Sequence, residues 1–152
     1  MSMFSLALEV PKWYMEGNIN KFLELVDIDT FSERWGIDLC EPENIVHLSS
    51  YEEHNYSEYY EVYSYRDDQH LLKQLTQLDM DSEKSVNQSI LSFISQATPE
   101  VRNIFDKHPL VAKVQDYYVY KEKRMGEEIT ILIYKQAEKK LYVLEKLGFF
   151  NW

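Results

Sequence analysis

Between Ser50 and Asp68 the sequence sets Tyr51, Tyr56, Tyr59, Tyr60, Tyr63 and Tyr65 among Glu52, Glu53, Glu58, Glu61, Asp67 and Asp68, with Arg66 as the only fixed positive charge. Tyrosine offers a large contact area on few rotatable bonds, plus a hydroxyl, and is enriched at protein interfaces for that reason. Carboxylates add attraction for cations and discrimination between partners. Side chains two apart on a strand share a face, roughly 6.5–7 Å apart. A strand over residues 57–65 therefore places Tyr59, Glu61, Tyr63 and Tyr65 together and turns Glu58, Tyr60, Val62 and Ser64 the other way. The expected partner-binding set is Glu52, Glu53, Glu58, Tyr59, Glu61, Tyr63, Tyr65, Asp67 and Asp68. The plainer alternative is an edge strand whose rings cover the sheet and whose acids are merely solvated.

Other chemistries find less support. His47, His54, His70 and His108 are the only histidines. His47 and His54 with a nearby glutamate can be drawn as a two-histidine, one-carboxylate metal site. No HExxH or HxH spacing backs it, so neither metal nor cofactor is assigned. Paired carboxylates run acid–base chemistry when their surroundings split their pKa values. A small hydrolase or transferase using Glu58, Glu61 and His54 in an aromatic cleft is the enzymatic alternative. The chain has no G-x-S-x-G, no phosphate-binding P-loop and no G-x-G-x-x-G, so no catalytic residue is assigned. Cys40 is the only cysteine, which rules out an intramolecular disulfide and a cysteine-based zinc centre.

Charge is distributed unevenly. The formal net charge of the 152 residues is −10. Residues 1–82 hold five Lys/Arg against seventeen carboxylates, and residues 83–152 hold eleven against nine. An acidic first half repels nucleic acid and anionic membranes and speeds encounter with a basic protein. No stretch has the length and apolarity of a membrane span, and the start lacks the basic leader of an export signal, so a cytoplasmic setting is expected.

The elements that must carry these residues follow from periodicity. Asn18 caps a helix with Ile19, Phe22, Leu23 and Val26 on one side. Thr30 and Glu33 have capping-box spacing for a short helix ending at Gly36. Residues 45–49 and 57–65 read as strands around a polar turn at 52–55. Asp67 or Asp68 caps a helix carrying Leu71, Leu72, Leu75 and Leu78. Asp81 or Ser82 caps another with Val86, Ile90 and Phe93. Thr98-Pro99-Glu100 starts a third, stopped by His108-Pro109. Residues 110–121 and 128–135 form a hairpin around 124–127, and the second of these strands is apolar on both faces, which suits a central position. Residues 137–147 fit a helix or a third meander strand equally.

The expectation is a single α+β domain over residues 1–152, with helices packed on a small antiparallel sheet that includes a C-terminal hairpin or meander. The expected role is an acidic, inhibitor- or immunity-like interaction domain that occludes a basic site on a protein partner such as a nuclease or toxin. It would bind neither nucleic acid nor membrane directly. A nucleic-acid mimic is a narrower version, which the interspersed tyrosines disfavour. A structural or assembly subunit is a further alternative, with Phe149, Phe150 and Trp152 as a contact between copies.

Overall fold

A computed structural model describes residues 27–148. The chain divides into two compact units, Met1–Glu41 and Pro42–Trp152. In the first unit the described residues form helix α1 over 27–35. Ile28, Phe31 and Trp35 recur at helical spacing and are buried. Thr30 lies within the helix instead of opening it. Gly36 closes it with φ 70°, where a side chain is disfavoured, and its N–H donates to Ser32 O at 2.7 Å. The helix expected from Asn18 lies outside the described residues.

The second unit is α+β. In chain order it contains β1 (Asn44–Glu53), β2 (Tyr56–Ser64), α2 (Gln69–Leu72), β3 (Thr76–Gln77), α3 (Met80–Gln96), α4 (Pro99–Lys107), β4 (Tyr117–Lys123), β5 (Glu128–Lys135) and β6 (Lys140–Gly148). The strands make one antiparallel sheet in the order β1-β2-β6-β5-β4-β3. Residues 140–148 are thus strand, and the ambiguity over 137–147 resolves because β6 fills the gap between β2 and β5. Leu141, Val143, Leu144 and Leu147 are buried along it. Two-sided burial needs apolar residues in both phases, and that blurs strand and helix periodicity alike. β5 is central, with residues 130–134 all buried.

One face of the sheet packs against α3 and α4. Val86, Ile90 and Phe93 of α3 and Val101 and Phe105 of α4 meet Tyr60, Ile131, Ile133 and Leu144. Tyr60 stacks on Phe105 with ring centres 4.3 Å apart and planes 9° apart, a contact worth about 0.5–1.5 kcal/mol beyond its buried area. Its hydroxyl donates to His108 O at 3.0 Å. On the opposite face Tyr63, Leu132, Tyr134, Leu141 and Val143 are also buried.

Several local expectations shift by a few residues. α3 starts at an Asp79 cap, with a capping box between Asp79 and Ser82. α2 ends at Leu72, leaving Leu75 and Leu78 outside it. The strand expected from Leu110 begins only at Tyr117, because residues 110–116 satisfy their backbone groups elsewhere. The Asn87 side chain donates to Ala112 O and accepts from Ala112 N–H, both at 2.8 Å. The Leu78 N–H donates to Asp116 O at 2.8 Å. Thr98 and Pro99 begin α4 as read from sequence. No described helix is long and apolar enough to cross a membrane.

Candidate functional site

The β1–β2 hairpin turns in two residues, His54 and Asn55, since Glu53 pairs with Tyr56. His54 takes a positive φ of 43° there. The register crosses Tyr51 with Glu58, Ser50 with Tyr59 and His47 with Glu61, with a bulge between His47 and Ser49. Pleating then sends Tyr51, Glu53, Tyr56, Glu58 and Tyr60 toward the helix-covered face. Glu52, Tyr59, Glu61 and Tyr63 point to the other.

Each acid of the hairpin meets a donor. Tyr51 OH donates to Glu53 Oε2, and the His47 ring pairs with Glu61. Tyr59 OH donates to Glu52 Oε1 at 2.5 Å, and Tyr56 OH donates to Glu58 Oε2 at 2.5 Å. The hydrogen bond to Glu53 is the main reason the Tyr51 phenol is pushed up to about 12. Burial leads for Tyr59, also pushed up to about 12, with the Glu52 bond adding to it. Burial also leads in raising Tyr56 and Tyr60.

Glu58 has a separate role. Its side chain is 1% exposed. Oε1 accepts from Thr98 N–H at 2.9 Å and from Thr98 Oγ1–H at 2.8 Å. A carboxylate at the N-cap of α4 satisfies a backbone N–H there and lies at the positive end of the helix dipole. Thr98 does not cap α4 with its own side chain; its hydroxyl points to Glu58 instead. Glu58 is therefore an anchor that fastens α4 to the sheet.

The nine expected partner-binding residues consequently separate. Glu52, Glu53 and Asp67 are exposed, and Tyr59 and Glu61 are half-buried. Glu58, Tyr63, Tyr65 and Asp68 are 1%, 3%, 3% and 8% exposed, so they face the interior. Asp68 accepts from the buried Tyr134 OH at 2.6 Å, and Tyr65 meets the Tyr134 ring edge to face at 6.1 Å. Asp67 and Asp68 follow the far end of β2, about 25 Å or more from the hairpin turn at strand rise, so they cannot join Glu52 and Glu53.

The enzymatic arrangement does not assemble from the residues named for it. Glu58 and Glu61 lie three apart on a strand and thus on opposite faces. His47 and His54 are separated along β1 by roughly 20 Å at strand rise, too far to share a metal. Two open depressions flank Pro109 and Tyr142. One, about 420 Å³, includes Val111, Asp116, Lys135 and Glu138. There Lys135 Nζ is already held by Asp116 Oδ2 at 2.6 Å and Val111 O at 2.9 Å. The other, about 300 Å³, is bounded by Val46, Leu48, Val62 and His108 beside β1. Neither brings a histidine together with a glutamate named for acid–base work.

Sequence reading missed three features here. The Glu58–Thr98 link spans forty residues and leaves no local trace. The depression beside Val46 draws on residues from β1, β2, β6 and the turn after α4. The edge position of β1 did have a signal, since the two-residue spacing between 44–53 and 56–64 marks a hairpin whose first strand can be outermost. Compared with known proteins, the chain matches no family model, no curated protein sequence and no solved structure.

Proposed function

We propose that the Pro42–Trp152 unit is an acidic protein-interaction domain, inhibitor- or immunity-like, that covers a basic site on a protein partner in the cytoplasm. The observation that carries the reading is the exposed acid of the β1–β2 hairpin. Glu52 and Glu53 are exposed, as is Glu43, which Arg66 holds at 3.2 Å, and residues 42–65 contain five carboxylates and no Lys or Arg. A field of one sign steers an oppositely charged partner and raises the association rate. Tyr51 and Tyr59 hold the Glu53 and Glu52 carboxylates in place. Ordering these groups before contact reduces the entropy lost on binding. A carboxylate has about four lone-pair positions, so one phenol leaves each able to accept from lysine or arginine.

The test is to capture a partner from the native host, purify it, and follow association at rising salt. The association rate should fall about tenfold or more between low and high salt. Glu52→Gln with Glu53→Gln should slow association with little change in dissociation. A captured partner without a basic surface, or a rate flat in salt, would overturn the reading. The contact between copies suggested for Phe149, Phe150 and Trp152 lies outside the described residues.

A further inference from the structure

Resting on that reading, we infer that the outer edge of β1 binds an extended basic segment of the partner by strand addition. Among the described residues β1 pairs only with β2, and none of them occupies the other side of its ladder along Asn44–Glu53. An open edge is a template for another strand, and proteins ordinarily blunt such edges with lysine, proline or a very short strand. β1 has ten residues with neither lysine nor proline. Its protective features are the bulge between His47 and Ser49, beyond which Ser49–Glu53 pair regularly with β2, and the charges of Glu52 and Glu53, which repel an acidic strand and admit a basic one.

The surfaces above and below the edge specify the occupant. On the helix-covered side, Val46 is 43% exposed and borders the 300 Å³ depression with Leu48 and Val62. On the other side stands the exposed Glu52; Glu53, on the helix-covered side, and Glu43, paired with Arg66 at 3.2 Å, lie at the two ends of the edge. A strand laid along β1 presents alternate side chains to the two sides. The fitting segment alternates apolar residues, directed into the depression, with lysine or arginine directed to the Glu52 side. Backbone pairing supplies affinity and the alternating contacts supply selectivity. A second copy of this chain fits poorly. Antiparallel self-pairing centred on the strand sets Glu53 beside Asn44 and Glu52 beside Ile45 of the other copy, and a strand without lysine or arginine brings neither carboxylate a cation.

The probe is a synthetic peptide of alternating lysine and valine. It is compared with the same peptide N-methylated at every second amide in either phase, and with a serine-for-lysine control. Strand addition predicts that one methylated phase binds about tenfold or more weakly. It also predicts slowed hydrogen exchange at β1 amides and loss of binding in Val46→Lys, with Leu91→Lys on exposed α3 unaffected. Salt-sensitive binding that both methylated peptides retain, with β1 exchange unchanged, overturns strand addition and leaves the acidic surface standing. Binding no tighter than the serine control overturns the acidic surface itself. Doubling of mass without peptide, with β1 amides protected, assigns the edge to a second copy and overturns the choice of occupant.

Discussion

Strands β1 and β2 come from one tyrosine- and glutamate-rich stretch, yet they use those residues differently. β2 lies between β1 and β6, and its Tyr60 and Tyr63 are core residues while its Glu58 is a buried anchor. β1 lies at the edge, and its Glu52 and Glu53 stay in water. Each strand carries two glutamates, with one tyrosine in β1 and four in β2. The difference is ladder position: a strand with two neighbours is covered on its edges and faces, and polar groups persist there only when paired. Among the described residues no buried side-chain polar atom lacks a partner. An acid on the inner strand therefore implies a donor somewhere in the fold, whereas an acid on the outer strand remains available to a partner.

The largest effect that would sharpen this contrast is on Glu58. Glu58→Ala leaves Thr98 N–H, Thr98 hydroxyl and Tyr56 hydroxyl without their acceptor, at a cost of about 3 kcal/mol. For a chain of this size that lowers the melting temperature by about 10 °C. Glu58→Gln keeps an acceptor for Thr98 and should lose less. Thermal unfolding followed by circular dichroism checks both, and a Glu58→Ala protein as stable as the parent would break the comparison.

Alkali tests it next. A phenol whose pKa is higher in the fold than in the unfolded chain, where it is near 10, stabilises the fold fully below pH 10. That contribution is lost as the pH rises from 10 through about 12, the value for Tyr51 and Tyr59. Tyr56, Tyr60 and Tyr134 are raised as well, chiefly by burial. Tyrosinate absorbance should therefore lag behind that of the unfolded chain above pH 10, and the delayed tyrosines should ionise together with loss of the circular dichroism signal. Smooth ionisation near pH 10 with the fold intact contradicts this.

What was legible in the sequence follows the same division between local and distant causes. The Thr98-Pro99 helix start, the 124–127 turn and the central place of β5 each depend on adjacent residues, and each could be read. Alternation along β2 was also legible. Which of its faces meets water was not, because that depends on β6, whose pairing with β2 joins residues more than seventy positions apart. Glu58 looked like a surface acid for the same reason: its donor at Thr98 lies on another element. The site survives where it rests on β1 and contracts where it rested on β2.

The smallest expected change isolates the edge. Glu52→Gln with Glu53→Gln should alter stability by no more than about 0.5 kcal/mol, since exposed charges contribute little. The tyrosines should nonetheless respond, and unequally. Tyr51 is raised first by its bond to Glu53, so removing that charge should bring its ionisation most of the way back toward 10. Tyr59 is raised first by burial, so loss of the Glu52 charge should move it only part of the way. Residue-resolved titration by NMR separates the two. Equal shifts would mean that the β1 and β2 tyrosines share one environment, and ladder position would then not explain why the edge keeps its acids exposed.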